Sequence, residues 1–292
     1  MSKTFYYILQ SPKAFFNEAA KLRLSMLNND SYGAYVLRSM LISKDGEFHG
    51  SWEKTIRTFN ESSFETTASL TDQIVNDLTT ASFNEVKWKY LTHLEEGDEV
   101  DVGRFLSGHE RCWNGTRRRT RTRHAVRIYL NTGGNSFRSF KELAVSGAIG
   151  ITFAEIMESM GLSAEIWAVY CDARGDVCEN NYIHLVRLKQ QNEYADMGLI
   201  NWFLGNNGVF RNAQFRIHIL HAHQNGFDVP RGMGTSVSAD LDNLGLTASE
   251  KQSAIVVPQI YSISSAKSWL NTVLSDQELL HRLIYAEDIE EE

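Results

Sequence analysis

Between residues 126 and 188 the apolar pattern passes from period two to helical spacing and back, and no other feature of the chain restricts its fold as strongly. Val126, Ile128 and Leu130 lie on one face of a strand, and a glycine turn follows at Gly133 and Gly134. Ile149, Phe153, Ile156, Met157 and Met160 then recur at helical spacing, with Gly161 placed as a left-handed stop. Ala164 to Cys171 (AEIWAVYC) is nearly continuous apolar sequence, as expected of a buried strand. A third strand, Tyr182 to Leu188, follows the turn-forming run Asp172-Ala173-Arg174-Gly175-Asp176, which predicts that these two strands are neighbours.

Downstream, helical segments are expected around 194–204 and 209–223. An exposed loop follows from Val229 to Gly245, then a short apolar run from Ala254 to Val257, and a last pair of helices capped near Ser264 and Ser275. This alternation predicts an α/β fold, a three-layer sheet-and-helix domain over residues 101–275, ending in a helical and acidic tail over 276–292. Residues 1–100 are expected to form a helical amino-terminal region. Ser11-Pro12 opens a helix over 12–27 with Phe15, Phe16, Ala19, Leu22 and Met26 on one face. Ser82 and Glu85 form a capping box ahead of a stripe of Phe83, Val86, Tyr90, Leu91 and Leu94 on a helix that stops near Gly97.

With 42% hydrophobic residues and only 3 prolines, the chain can bury a sizeable core built of long regular elements. It has no apolar run of about 18 residues, and its amino terminus lacks a signal peptide pattern, so no membrane partner and a cytoplasmic location are expected. Cys112, Cys171 and Cys178 are odd in number and lack zinc-site spacing, which fits structural thiols in a reducing compartment. Nothing in the sequence calls for a cofactor.

Charge is distributed unevenly. From Arg111 to Lys141 there are eight arginines, one lysine and no acid, a formal +9 against −7 for the whole chain, which leaves −16 for the rest. Arg117, Arg119, Arg121, Arg123 and Arg127 share one face if the strand at 126–130 extends upstream, with Arg118 between them. Residues on one strand face recur at roughly 7 Å, a spacing suited to successive phosphates, which the planar guanidinium matches in shape and charge. Trp113, Tyr129 and Phe137 are placed to stack on bases. The alternative is a solvated edge strand or an internal partner for the acidic remainder.

The segment VRIYLNTGGNSFRSFKELAVSGAIGITFAEIMESMGLSAEIWAVYC resembles the first half of von Willebrand factor A-like domains, a strand, loop, helix and strand. It is also similar to an uncharacterised family of phage and bacterial proteins with the same kernel. In metal-binding members of the first family an Asp-x-Ser-x-Ser pattern at the end of the first strand holds magnesium. Here Asn131, Thr132, Gly133, Gly134, Asn135 and Ser136 occupy that stretch without the aspartate, which implies a degenerate metal loop still placed where open α/β sheets bind ligands.

Three further clusters were weighed. His218, His221 and His223 form an HxxHxH pattern in which the first two share a helix face and the third joins them on a metal only if the helix ends between them. His109, Glu110 and Cys112 are adjacent in sequence, which is not how cysteine hydrolases assemble their sites. Asp98, Glu99 and Asp101 fit a solvated turn. The leading expectation is a phage-type, non-enzymatic protein that binds nucleic acid or another polyanion through the arginine strand. A protein-interaction module with a degenerate metal loop comes second and a metal-dependent enzyme using the histidines third.

Overall fold

A computed structural model describes residues 3–42, 52–61, 64, 72–78, 91–94, 99–100, 106–107, 113–115, 125–132, 139–172, 180–191, 193–206, 208–227, 229 and 239–285. Its centre is strand β5 (Ala125–Asn131), whose residues are buried on both faces apart from the half-buried Arg127. Such a strand needs a neighbour on each edge and cover on each face. It pairs in parallel with β6 (Ser163–Asp172) on one side and β8 (Ala254–Val257) on the other. Strand β7 (Asn180–Lys189) lies antiparallel to β6, and β1 (Lys3–Leu9) runs parallel to β7 at the sheet's edge. The order is β1-β7-β6-β5-β8, and a separate small sheet has the order β2-β4-β3, from Leu91–Leu94, Trp113–Gly115 and Glu99–Val100.

The parallel pair β5–β6 requires a crossover, which is helix α5 (Phe140–Ser159). Ser139 and Glu142 cap it reciprocally, and Gly161, at φ 79°, ends it as the sequence predicts. From Leu143 to Ala154 every residue is buried, because α5 lies between the sheet and other helices. Helices α6 (Met197–Gly205) and α9 (Ile263–Ser275) pack on α5, and the same side of the sheet carries α1 (Pro12–Ala19), α2 (Tyr32–Ile42), α3 (Trp52–Asn60), α4 (72–78), α7 (Phe215–Gln224) and α10 (Gln277–Tyr285); a short α8 (Ala248–Gln252) leads into β8. They supply residues to the packing on the face that carries Val126, Ile128, Leu130, Ile166 and Tyr170. The opposite face, with Tyr129, Trp167, Val169 and Cys171, packs against Ala239, Leu241, Leu244 and Leu246. The fold is therefore a mixed α/β architecture on a mostly parallel sheet.

The amino-terminal region departs from the expected helical extension. Residues 3–9 are a sheet strand with Phe5, Tyr7 and Leu9 turned toward the helices, and Phe15, Phe16 and Ala19 of α1 join the main core. Helix α1 stops at Ala19 rather than continuing to residue 27. Its last carbonyl, Ala19 O, accepts from Arg216 Nε of α7 at 3.0 Å, and Nη2 donates to Leu22 O beyond the helix at 2.9 Å while the guanidinium lies over Trp52. Leu91 and Leu94, expected on a helix, are in β2, where pairing with Gly115 and Trp113 outweighs their helical spacing; residues 79–90 lie outside the described ones. The last two helices are capped by Ser262 and Asp276 instead of Ser264 and Ser275.

Gly150 of α5 sits directly on β5. A Cβ there would stand 2.6 and 2.7 Å from the two methyl groups of Leu130. Alanine gains up to about 1 kcal/mol of helix propensity over glycine, but overpacking a close-packed core costs about 1–3 kcal/mol. Gly150→Ala is therefore expected to lower the midpoint of urea unfolding; an unchanged or raised midpoint would mean that α5 can move off the sheet without cost.

Candidate functional site

At the head of β5, Arg127 faces two carboxylates. Its Nη1 lies 3.1 Å from Glu250 Oε1 and its Nε 3.7 Å from Glu165 Oε2. Glu165 is the residue paired with Arg127 across β6, and the same oxygen accepts from Trp167 Nε1 at 3.2 Å. Glu250 also caps α8 through the Thr247 N–H. All these groups are partly exposed, so each ion pair is worth about 1 kcal/mol or less. Tyr129 is buried against Trp167, and burial raises the pKa of its hydroxyl, with Arg127 opposing and Glu250 and Glu165 adding to the rise. Its ring is not presented to a base, which corrects the stacking role expected for it. Arg117, Arg118, Arg119, Arg121 and Arg123, with Phe137, lie outside the described residues. Trp113 is in β4, with its backbone paired to Leu94 and Val100.

At the tail of β5, Asn131 and Thr132 are buried and committed to internal hydrogen bonds. Asn131 Oδ1 accepts from Ala239 N at 2.9 Å, and its Nδ2 donates to Val257 O at 3.2 Å and to Ala239 O at 3.4 Å. Thr132 Oγ1 donates to Val169 O at 2.7 Å and accepts from Gln214 Nε2 at 3.1 Å. These two side chains tie β5 to β8, β6 and the 239 segment, which corrects their expected role as loop ligands. Gly133, Gly134, Asn135 and Ser136 lie outside the described residues.

The histidines do meet other polar groups, but not as a metal site. A π-helical turn, Val209–Gln214, runs directly into α7, which continues to Gln224 and so carries His223 round to the exposed side. His218 and His221 point inward and meet His184 of β7 instead, with His184 Nε2 and His221 Nδ1 3.1 Å apart. Glu18 of α1 approaches His221 Nε2 at 3.5 Å, and Tyr7 of β1 stacks on the His221 ring with centroids 3.6 Å apart. Among the described residues no three His, Cys, Asp or Glu side chains are arranged to hold a metal ion. Burial, then the neighbouring His221 and His218, holds the His184 pKa well below the usual imidazole range. Burial also depresses that of His218, to about 3, and that of His221, for which Glu18 only partly offsets the penalty. Burial pushes Glu18 up, but the hydrogen bonds and charges of Lys21 and His221 outweigh it and hold the carboxyl below its ordinary value. Neither His184 nor Glu18 was singled out in the sequence. His184 was legible, since period two places it inward beside Tyr182 and Val186, whereas Glu18 depends on how α1 packs against α7.

A family described as a domain of unknown function (DUF7192) matches residues 9–281. The chain belongs to the DUF7192 family. No curated protein and no solved structure matches it. No helix among the described residues of this DUF7192 chain is long and apolar enough to cross a membrane.

The bonds of Asn131 define a test of what the end of β5 does in the DUF7192 chain. Asn131→Asp removes the donor that serves Val257 O and Ala239 O, and leaving such buried groups unpaired costs about 1–3 kcal/mol each. The variant is expected to unfold at clearly lower urea, and added magnesium is expected not to restore it. Recovery with magnesium would show that the loop still forms a cation site once an aspartate is supplied.

Proposed function

We propose that this protein is a non-enzymatic binding protein, of phage type, that engages nucleic acid or another polyanion through the arginine-rich stretch entering β5. One observation carries the reading: the run from Arg111 to Lys141 holds eight arginines, one lysine and no acid in a chain of net charge −7. Its support in the fold is electrostatic. The carboxylates at the head of β5 are already engaged, Glu165 by Arg127 and Trp167, Glu250 by Arg127 and the α8 cap. A row of unneutralised guanidinium groups attracts phosphates strongly and in a salt-dependent way.

A second reading, a von Willebrand A-like protein-interaction module, draws on the strand-helix-strand order β5–α5–β6 and on Asn131, which stands where that family carries its aspartate and is engaged in internal bonds.

Affinity titrations against single- and double-stranded DNA and RNA over a range of salt separate the two readings. The parent protein is expected to bind with affinity falling linearly on a log–log plot against salt. Arg119→Ala/Arg121→Ala/Arg123→Ala should reduce that slope by roughly 2 to 3, since each neutralised phosphate contributes about 0.7 to 0.9. Absence of binding at low salt would overturn the polyanion reading and leave a protein partner as the working hypothesis.

A further inference from the structure

Three elements converge on His221 of α7. Helix α1 brings Glu18 to its Nε2, β7 brings His184 to its Nδ1, and β1 lays Tyr7 flat on its ring. Asn225, one residue past α7, fastens the arrangement by donating to Tyr7 Oη at 2.6 Å and to His221 O at 2.7 Å. His184 and His221 are only 2% and 3% exposed, and their rings stack at 5.3 Å between centroids. His184 Nδ1 has no hydrogen-bond partner among the described residues.

Donor and acceptor rules allow one arrangement of protons along this chain in the neutral state. An ionised carboxylate only accepts, so the proton of neutral His221 belongs on Nε2, facing Glu18. His221 Nδ1 is then an acceptor, and His184 must donate to it from Nε2. That leaves a bare lone pair on His184 Nδ1. When a proton binds there, a new N–H bond forms on Nδ1, the Nε2–H bond of His184 breaks, and that proton forms the Nδ1–H bond of His221. The result is a neutral His184 with its proton on Nδ1 and an imidazolium at His221 beside the Glu18 carboxylate. One proton enters, and one positive charge appears a full ring away.

We propose that Glu18, His221 and His184 form a proton relay that latches helix α1 to the β1–β7 edge of the sheet and loosens as pH falls. The groups facing the relay are Glu18 from α1, Lys21 just past that helix, Tyr7 from β1, Tyr170 from β6 and His218 from α7. Because the folded protein holds its imidazoles below their free value of about 6.5, the latch is at full strength above that pH. It weakens as pH falls from there toward the folded values. Glu18, whose pKa is lowered, contributes separately, and its share is lost only below the ordinary carboxyl range. Opening of α1 alone frees His221 to take one proton, so its opening constant should rise by up to about tenfold per pH unit between 6.5 and the midpoint of the folded relay, and level off below it.

The test is a nitrogen-15 imidazole spectrum of the full chain titrated from pH 8 down to the acid limit of the fold, with amide-exchange protection of α1 measured alongside. At pH 8 both His184 and His221 are expected as the Nε2–H tautomer. On acidification His221 should become imidazolium as His184 switches to Nδ1–H, the two changes sharing one midpoint. Protection of α1 should fall by up to about tenfold per pH unit between 6.5 and that midpoint, and level off below it. Glu18→Gln, which removes the carboxylate charge, should move the shared midpoint to lower pH. The proposal is overturned if His184 carries its proton on Nδ1 at pH 8, if the two rings titrate independently, or if protection of α1 does not change between pH 7 and that midpoint. Those outcomes are read on the unmodified protein, so a Glu18→Gln variant that fails to fold does not shield the idea.

Discussion

Keeping β5 dry on both faces governs how the rest of the molecule is arranged. One face requires α5 at such close range that Gly150 rests on Leu130, and the other requires the 239–246 segment against Tyr129 and Trp167. Both ends of the strand must then dispose of polar groups without opening the core. At the tail, Asn131 satisfies backbone groups of β8 and the 239 segment with a single side chain. At the head, Arg127 reaches out to partly exposed carboxylates, where a charge costs far less than it would inside.

The same accounting explains two deeply placed cations among the described residues, Lys189 and Arg216. Lys189 Nζ, at the end of β7, donates to Glu158 Oε1 at 2.6 Å, Ala164 O at 2.8 Å and Gln190 O at 3.2 Å. All three of its protons have partners, and the group joins the last turn of α5 to the start of β6. Arg216 does the equivalent for α1, α3 and α7. A buried ion pair adds little net stability, yet removing one partner is costly because the other charge is left behind. These groups therefore fix which element sits where more than they add to the total stability. Burial lowers the pKa of Arg216, with Arg23 adding and Glu53 opposing, but a guanidinium starts so high that it stays charged.

Much of the fold was legible in local sequence. The β5–α5–β6–β7 run, the stop at Gly161 and the Ala254–Val257 strand each follow from periodicity or from one residue's conformational preference. The failures share a cause, which is that the deciding partner is distant in sequence. Strand β1 has inward Phe5, Tyr7 and Leu9, but its role depends on β7, and α1 ends where Arg216, nearly two hundred residues later, takes its last carbonyl. Asn131 read as a loop ligand because its spacing suits one, and only the approach of Ala239 and Val257 makes it a structural amide. The Arg127–Glu165 pair follows from the β5–β6 register, which a single sequence does not specify.

Open α/β sheets usually bind ligands at the carboxyl ends of their strands, where loops leave backbone and side-chain groups unengaged. Here the polar side chains described at that end of β5 are turned to internal bonds, Asn131 to Ala239 and Val257, Thr132 to Val169 and Gln214. The histidines of α7 are likewise drawn into the interior, leaving His223 exposed. Polar chemistry on that side of the molecule thus serves to hold elements together. At the amino end of β5 the carboxylates described, Glu165 and Glu250, are engaged by Arg127 and its neighbours, and in sequence the chain arrives there from a long run of arginines with no acid among them. The described side chains at both ends of β5 are thus committed to internal partners, and the polyanion reading rests on the sequence upstream of them.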